Sequence, residues 1–239
     1  MSTAGELAAQ ALANGTPNVI TVWSDLGCPW ATLALHTLRD RIRSSGADVL
    51  IDHRAFPLEW FNERPTPKPI TDAELVAIAG LVDGLQWRTW SAPESTFPVT
   101  TLPALEAVQA AKHPRAGGMR ASDELDEALR KAFWVDHECI SVLPIIYRVA
   151  GTCTHVDVDG LRWAMAAGHG RDAVLDQWPV ARTEQVVCSP HFFTPLGEGL
   201  KNPGARYTWT GGPEAGFPRL ESYDRSWAGD LVDSLVQRS

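Results

Sequence analysis

The feature that most constrains this chain is the run from residue 71 to 185, about 115 residues with no convincing alternating strand, set between two ends that do carry strand patterns. On the N-terminal side, "NVITVWS" (18–24) is a short β-rich run that stops at Asp25-Leu26-Gly27. Pro29 suits a first helical turn, where its missing N–H is not needed, and Leu33, Leu35, Leu38 and Ile42 supply one apolar face. Gly46 ends that helix, and "DVLIDHRAF" (48–56) alternates as a second strand before Pro57 and the Pro-rich "ERPTPKPIT". Helical patterns follow at 72–82, 101–112, 121–135, 140–150, 158–167 and 171–185. In the clearest of them, "SDELDEALRKAFW", Ser122 reads as the N-cap. Strand signals return in "QVVCSPHFFTPLG" (185–197) and "ARYTWTG" (205–211), which read as a hairpin-like pair, and "SWAGDLVDSLVQR" (226–238) closes the chain as an amphipathic helix. The order is β-α-β, a helical block, then β-β-α, with parallel strands expected in the opening unit.

A formal charge of −8 with no dense Lys/Arg run argues against nucleic acid or an anionic membrane surface as partner. No apolar run approaches the ~20 residues of a membrane span, and the Ala-rich N-terminus lacks the pattern of a secretion signal. The expectation is a soluble cytoplasmic protein, monomer or homodimer, acting on a small molecule. Four irregularly spaced cysteines do not make a disulfide scaffold. Ten tryptophans point to an aromatic-rich core or a flat apolar cleft.

The chemistry concentrates at "SDLGCPWA" (24–31). A cysteine at a helix start meets backbone N–H groups and the positive end of the helix dipole, which favour a thiolate; Cys28 is therefore the candidate nucleophile. Trp30 can cover the sulfur or offer an apolar platform, or simply be buried. Asp25 caps the turn or relays a proton. "HEC" (137–139) and "CTH" (153–155) offer two cysteines and two histidines, but their spacing is not that of a zinc knuckle, and no metal is expected. His36, His53 and His191 read as structural histidines. "GGPEAG" (211–216) reads as a turn rather than a phosphate cradle.

Three stretches carry a resemblance to a family. "SDLGCPWA" resembles a Ser-Asp-x-x-Cys-Pro-Trp-Cys turn whose last cysteine is Ala31 here. "HRAFPLE" resembles the Phe-x-Leu segment that walls the active site, and "CSPHFFTPLG" a Gly-x-Pro-Thr strand bearing a cis proline. Together they resemble the DsbA-like thioredoxin superfamily, and within it the cytoplasmic FrnE-type branch, similar in plan to kappa-class glutathione transferases and 2-hydroxychromene-2-carboxylate isomerases. The resemblance implies an α/β, thioredoxin-like fold with a large helical insertion domain. Its thioredoxin-like parts would be 18–70 and 186–239, and the insertion 71–185.

The resemblance also implies thiol-disulfide oxidoreductase or isomerase chemistry at Cys28, through a mixed disulfide that Ala31 cannot resolve. The resolving sulfur would come from a low-molecular-weight thiol co-substrate, with no tightly bound cofactor, or from Cys188, whose other reading is a strand-core cysteine. Cys139, at the start of a predicted helix, is a more distant candidate. Pro29, Trp30, Phe56, Leu58, Ser189 and Pro190 would form the substrate groove. Two alternatives stay open: a kappa-like thiol transferase or isomerase, and a redox-inert binding protein on the same scaffold.

Overall fold

The computed structural model describes residues 12–79, 85–211 and 216–237. Strand β1 (Val19–Ser24) is buried along its whole length. It leads into helix α1 (Pro29–Ser45), which starts with Pro29 in its first turn and ends where Gly46 adopts φ +65° and its N–H bonds to the Ile42 carbonyl. Strand β2 (Leu50–Ala55) returns parallel to β1.

After β2 the chain is helical: α2 (Leu58–Phe61), α3 (Lys68–Ala79), α4 (Leu102–Ala110), α5 (Met119–Trp134), α6 (Leu143–Ala150), α7 (Val158–Ala166) and α8 (His169–Ala181). Strands β3 (His191–Phe193) and β4 (Gly199–Lys201) complete a four-stranded sheet in the order β2-β1-β3-β4, with β3 antiparallel to β1. A second, two-stranded sheet, β5 (Ala205–Thr210) against β6 (Phe217–Tyr223), precedes the last helix, α9 (Ser226–Val236).

Two apolar cores follow from the sequence periodicities. Ile20, Val22, Leu35, Leu38, Ile51, Phe192 and Leu231 form one core of the sheet with α1 and α9, two helices that also touch each other. Each such side chain, taken out of water, contributes about 1.5–3 kcal/mol. Leu105, Val108, Leu125, Leu129, Ile140, Ile146 and Leu161 form a separate core among the helices. A buried ionic network joins the two regions: Arg39 of α1 bonds Asp123 and Asp126 of α5 at 2.6 and 2.7 Å, and Arg130 bonds Asp126 at 2.9 Å.

Three sequence expectations need correction. The strand expected over 185–197 pairs only through its short centre, β3, and the strand that follows it as a hairpin partner is β4; the 205–211 segment pairs instead with β6. The Gly197 turn returns the chain onto β3 at once, whereas Pro218 breaks the apolar alternation that would have marked β6. Ser122 is not an N-cap. Gly117 and Gly118, both at positive φ, turn the chain so that α5 begins at Met119, and the Ser122 hydroxyl donates to the Val108 carbonyl at 2.8 Å. Cys139 precedes its helix, its carbonyl closing a turn with the Val142 N–H. The leader over 1–11, the end of the 72–82 pattern and residues 212–215 of the Gly-rich segment lie outside the described residues. Among the described residues no helix is long and apolar enough to cross a membrane.

Candidate active site

Cys28 is the N-cap of α1, with extended backbone, and its sulfur accepts the Ala31 N–H at 3.5 Å. The thiol donates to the Ser189 carbonyl at 3.0 Å, and the Ser189–Pro190 peptide is cis. The Ser189 hydroxyl accepts the Asp25 N–H at 3.0 Å, which ties the loop before β3 to the turn after β1. Asp25 caps the turn: its carboxylate accepts the N–H groups of Gly27 and of Leu58, each at 2.8 Å. Burial raises the Asp25 carboxyl above its usual value even though those N–H groups pull it down.

The environment of Cys28 opposes the reactive thiolate expected from the sequence. The residue is only 5% exposed, in an apolar cluster with Trp30, Ala31, Leu33 and Ile78. Burial first, then the neighbouring Glu74 carboxylate, push its thiol up to about 12, outweighing the hydrogen bonds at Ser189 and Ala31. Helix N-termini favour thiolates where water or cations help to carry the charge; here the first turn is roofed over. Tyr207 of β5 stacks on Trp30, ring centroids 4.4 Å apart, while the Tyr223 hydroxyl of β6 lies 2.7 Å from that of Thr37 on α1. The β5–β6 ribbon thus covers Cys28, with Leu220 packed against the same cluster.

Trp30 is 4% exposed, and its indole N–H donates to Glu74 Oε1 of α3 at 2.9 Å. Of the other predicted groove residues, Pro29 begins the helix, and Leu58 packs against both the Cys28 cluster and its neighbour. Phe56 belongs to that neighbouring cluster with Trp23 and Phe193, and it stacks on Phe61 at 4.1 Å. The structure therefore gathers Cys28, Pro29, Trp30, Leu58, Ser189 and Pro190, and sets Phe56 behind them. Cys188 is a free, half-buried thiol that donates to the Pro190 carbonyl at 3.2 Å. The two sulfurs are thus bonded to successive carbonyls of one loop.

Arg130 supports the turn from behind, donating to the Asp25 carbonyl at 3.0 Å, Thr32 Oγ1 at 2.9 Å and Ser24 Oγ at 3.0 Å. Arg130, Glu74 and Tyr207 went unnoticed in the sequence. The first two look like ordinary helix charges there, and Tyr207 sits in a strand whose placement no local pattern reveals. The histidines of "HEC" and "CTH" are engaged elsewhere, His137 with Ser91 and the Arg88 carbonyl, His155 with Glu124. Among the described residues no group of three or more His, Cys, Asp or Glu is arranged to hold a metal ion. His191 is buried, and burial lowers its imidazole to about 4, so it stays neutral near pH 7.

No protein-family model and no curated protein sequence matches the chain. Solved structures do. The cytosolic disulfide reductase DsbM from Pseudomonas aeruginosa superposes with a TM-score of 0.60 at 14% identity, covering 92% of this chain and 98% of that one. The same protein with GSH gives 0.61 at 13% identity over the same shares. A probable DsbA oxidoreductase from Streptomyces coelicolor gives 0.54 at 16%, covering 92% of this chain and 88% of its own. The chain thus has the DsbA-like thioredoxin fold, with a helical insertion between β2 and β3.

Proposed function

We propose that this protein is a thiol-disulfide oxidoreductase or disulfide isomerase that works through the single sulfur of Cys28 on low-molecular-weight disulfides. The observation that carries the reading is the placement of the Cys28 sulfur at the start of α1, 3.0 Å from the Ser189 carbonyl beside a cis proline. The GSH held by the Pseudomonas aeruginosa reductase of the same fold supports a small thiol as co-substrate here.

In this scheme the β5–β6 ribbon moves off Trp30, water reaches Cys28, and the thiol loses its proton. The thiolate attacks one sulfur of a disulfide R–S–S–R; the Cys28–S–S–R bond forms and RS⁻ leaves. A second small thiol then attacks the R sulfur, forming a new small disulfide and returning Cys28 to the thiol. Attack by Cys188 on the Cys28 sulfur is the other route; it gives a Cys28–Cys188 disulfide that two small thiols would reduce. Trp30, Leu58, Ser189 and Pro190 line the groove, Pro29 sets its floor, and Phe56 backs the wall. The plan is that of a cytoplasmic FrnE-type protein, and it needs no tightly bound cofactor, nucleic acid or membrane.

One observation favours a second reading. With its thiol pushed up to about 12 and bonded to Ser189, Cys28 suits a kappa-like transferase or isomerase, in which it positions a bound thiol and forms no lasting covalent bond. Intact-mass and peptide mapping of the reduced protein after exposure to glutathione disulfide separates the two. One glutathione adduct on Cys28 is the expected result. An unmodified Cys28 together with saturable binding of reduced glutathione supports the second reading, and neither adduct nor binding leaves a redox-inert binding protein. Mapping of Cys188→Ser under non-reducing conditions tests the internal route, since a Cys28–Cys188 disulfide must vanish in that variant.

A further inference from the structure

Glu74 is an ionisable group beside Cys28 that the exchange scheme does not use. It stands on α3, and its Oε1 accepts the Trp30 indole N–H two residues beyond the reacting cysteine. Trp30 is clamped on its face by Tyr207. The ionisable groups facing this corner are the Cys28 thiol from α1, the Tyr207 phenol from β5 and, in the turn before α1, Asp25. On α3 itself Lys68 and Asp72 pair with each other at 2.5 Å. From β6, which packs against α3, Arg219 lies over the Phe217 ring, Glu221 is exposed, and Tyr223 is bonded to Thr37. Among the described residues no cation pairs with the Glu74 carboxylate.

We propose that Glu74 is a positioning residue that acts as an electrostatic brake: its carboxylate, when ionised and held by Trp30, keeps the Cys28 thiol protonated. Two neighbouring groups that both become negative hinder each other's ionisation, and among the described residues no cation pairs with either group to relieve the conflict. Burial raises the Glu74 carboxyl to about 7, so the brake engages across neutral pH rather than being permanently on. The inference rests on Cys28 being the reacting thiol.

The test is the pH profile of Cys28 alkylation by iodoacetamide, read by peptide mass spectrometry so that the other three cysteines do not contribute. Well below pH 7 the Glu74 carboxyl is neutral, and each unit of pH raises the thiolate fraction tenfold. Across pH 7 the carboxylate forms and takes back about one unit of that gain; above it the tenfold rise resumes. The unmodified chain is therefore expected to show a shoulder near pH 7, a readout that needs no variant. Glu74→Gln keeps an acceptor for the Trp30 N–H but cannot ionise. Its profile should be a straight line that departs from the unmodified one above pH 6 and runs about tenfold faster at pH 8.5. Glu74→Asp, which keeps the charge, should keep the shoulder.

A straight profile for the unmodified chain, or a Glu74→Gln profile that overlays it, overturns the brake. Either result leaves the exchange reading standing if Cys28 still takes the glutathione adduct. An alkylation shoulder on a Cys28 that takes no adduct would instead uphold the brake on the thiol and sink the exchange reading.

Discussion

Replacing Arg130 with methionine tests how the helical block supports the active-site turn. Arg130 is 2% exposed, and its guanidinium makes four hydrogen bonds to buried acceptors: Asp126, the Asp25 carbonyl, Thr32 and Ser24. With Arg39, Asp123 and Asp126 it makes a charge-balanced set of two guanidiniums and two carboxylates. Methionine matches much of the volume but leaves that set with a surplus negative charge and three buried acceptors without this donor. Breaking a buried pair from one side costs about 3–5 kcal/mol, and Asp126 keeps Arg39 at 2.7 Å and the His53 ring at 3.7 Å as its remaining partners. The expected loss is therefore about 3–5 kcal/mol, a large part of the 5–15 kcal/mol typical of a folded domain. Urea unfolding followed by far-ultraviolet circular dichroism measures it, with Arg43→Met as control. Arg43 and its partner Glu127 are 53% and 44% exposed, so that change should cost about 1 kcal/mol or less. If Arg130→Met costs no more than Arg43→Met, the buried network is not what joins the turn to α5.

The same network fixes the sign of the acid response. Burial alone would raise the Asp126 carboxyl, but Arg130, His53 and Arg39 outweigh it and hold the group well below the usual carboxylate range; Asp123 and Asp52 are also lowered. A carboxyl depressed in the folded state adds stability that is complete above its unfolded value of about 4 and is lost as pH falls through the folded value, so acid titration should show unfolding only below about pH 4. Tyr207→Ala removes the ring that lies on Trp30. With Cys28 admitted to water, its thiol should fall from about 12 toward the ordinary range, and its alkylation at pH 7 should accelerate at least about tenfold; an unchanged rate would show that the ribbon is not the cover. Gly204 enters β5 at φ +81°, and a Cβ there would strike the Asp224 carbonyl and the Trp227 ring. Gly204→Ala should cost about 2 kcal/mol or more in the same urea assay.

Much of the plan was legible in the sequence because it is local. The apolar runs of β1 and β2, the Leu33–Leu35–Leu38 face, Pro29 at the helix start and Gly46 at its end each encode their element within a few residues. The same is true of the long helical stretch between two strand-bearing ends, which is what limits the possible folds. The turn at Cys28 and the loop at Ser189–Pro190 also carry local signatures, and their meeting is what the family resemblance implied. Ionisation of Cys28 was not legible in this way. A helix start favours a thiolate in every sequence that places a cysteine there, but the outcome depends on what excludes water and which charges lie opposite.

Those came from far along the chain: Glu74 is 44 residues from its partner Trp30, and Arg130 reaches back 105 residues to Asp25. Tyr207 comes from a ribbon whose second strand Pro218 disguises. By itself the sequence determined the opening β-α-β unit, the helical block, the closing helix and the sulfur at the helix start, since each is encoded by near neighbours. Only the tertiary structure decided that this sulfur is covered, held as a thiol and placed beside a carboxylate, because desolvation and charge pairing depend on groups brought together through space.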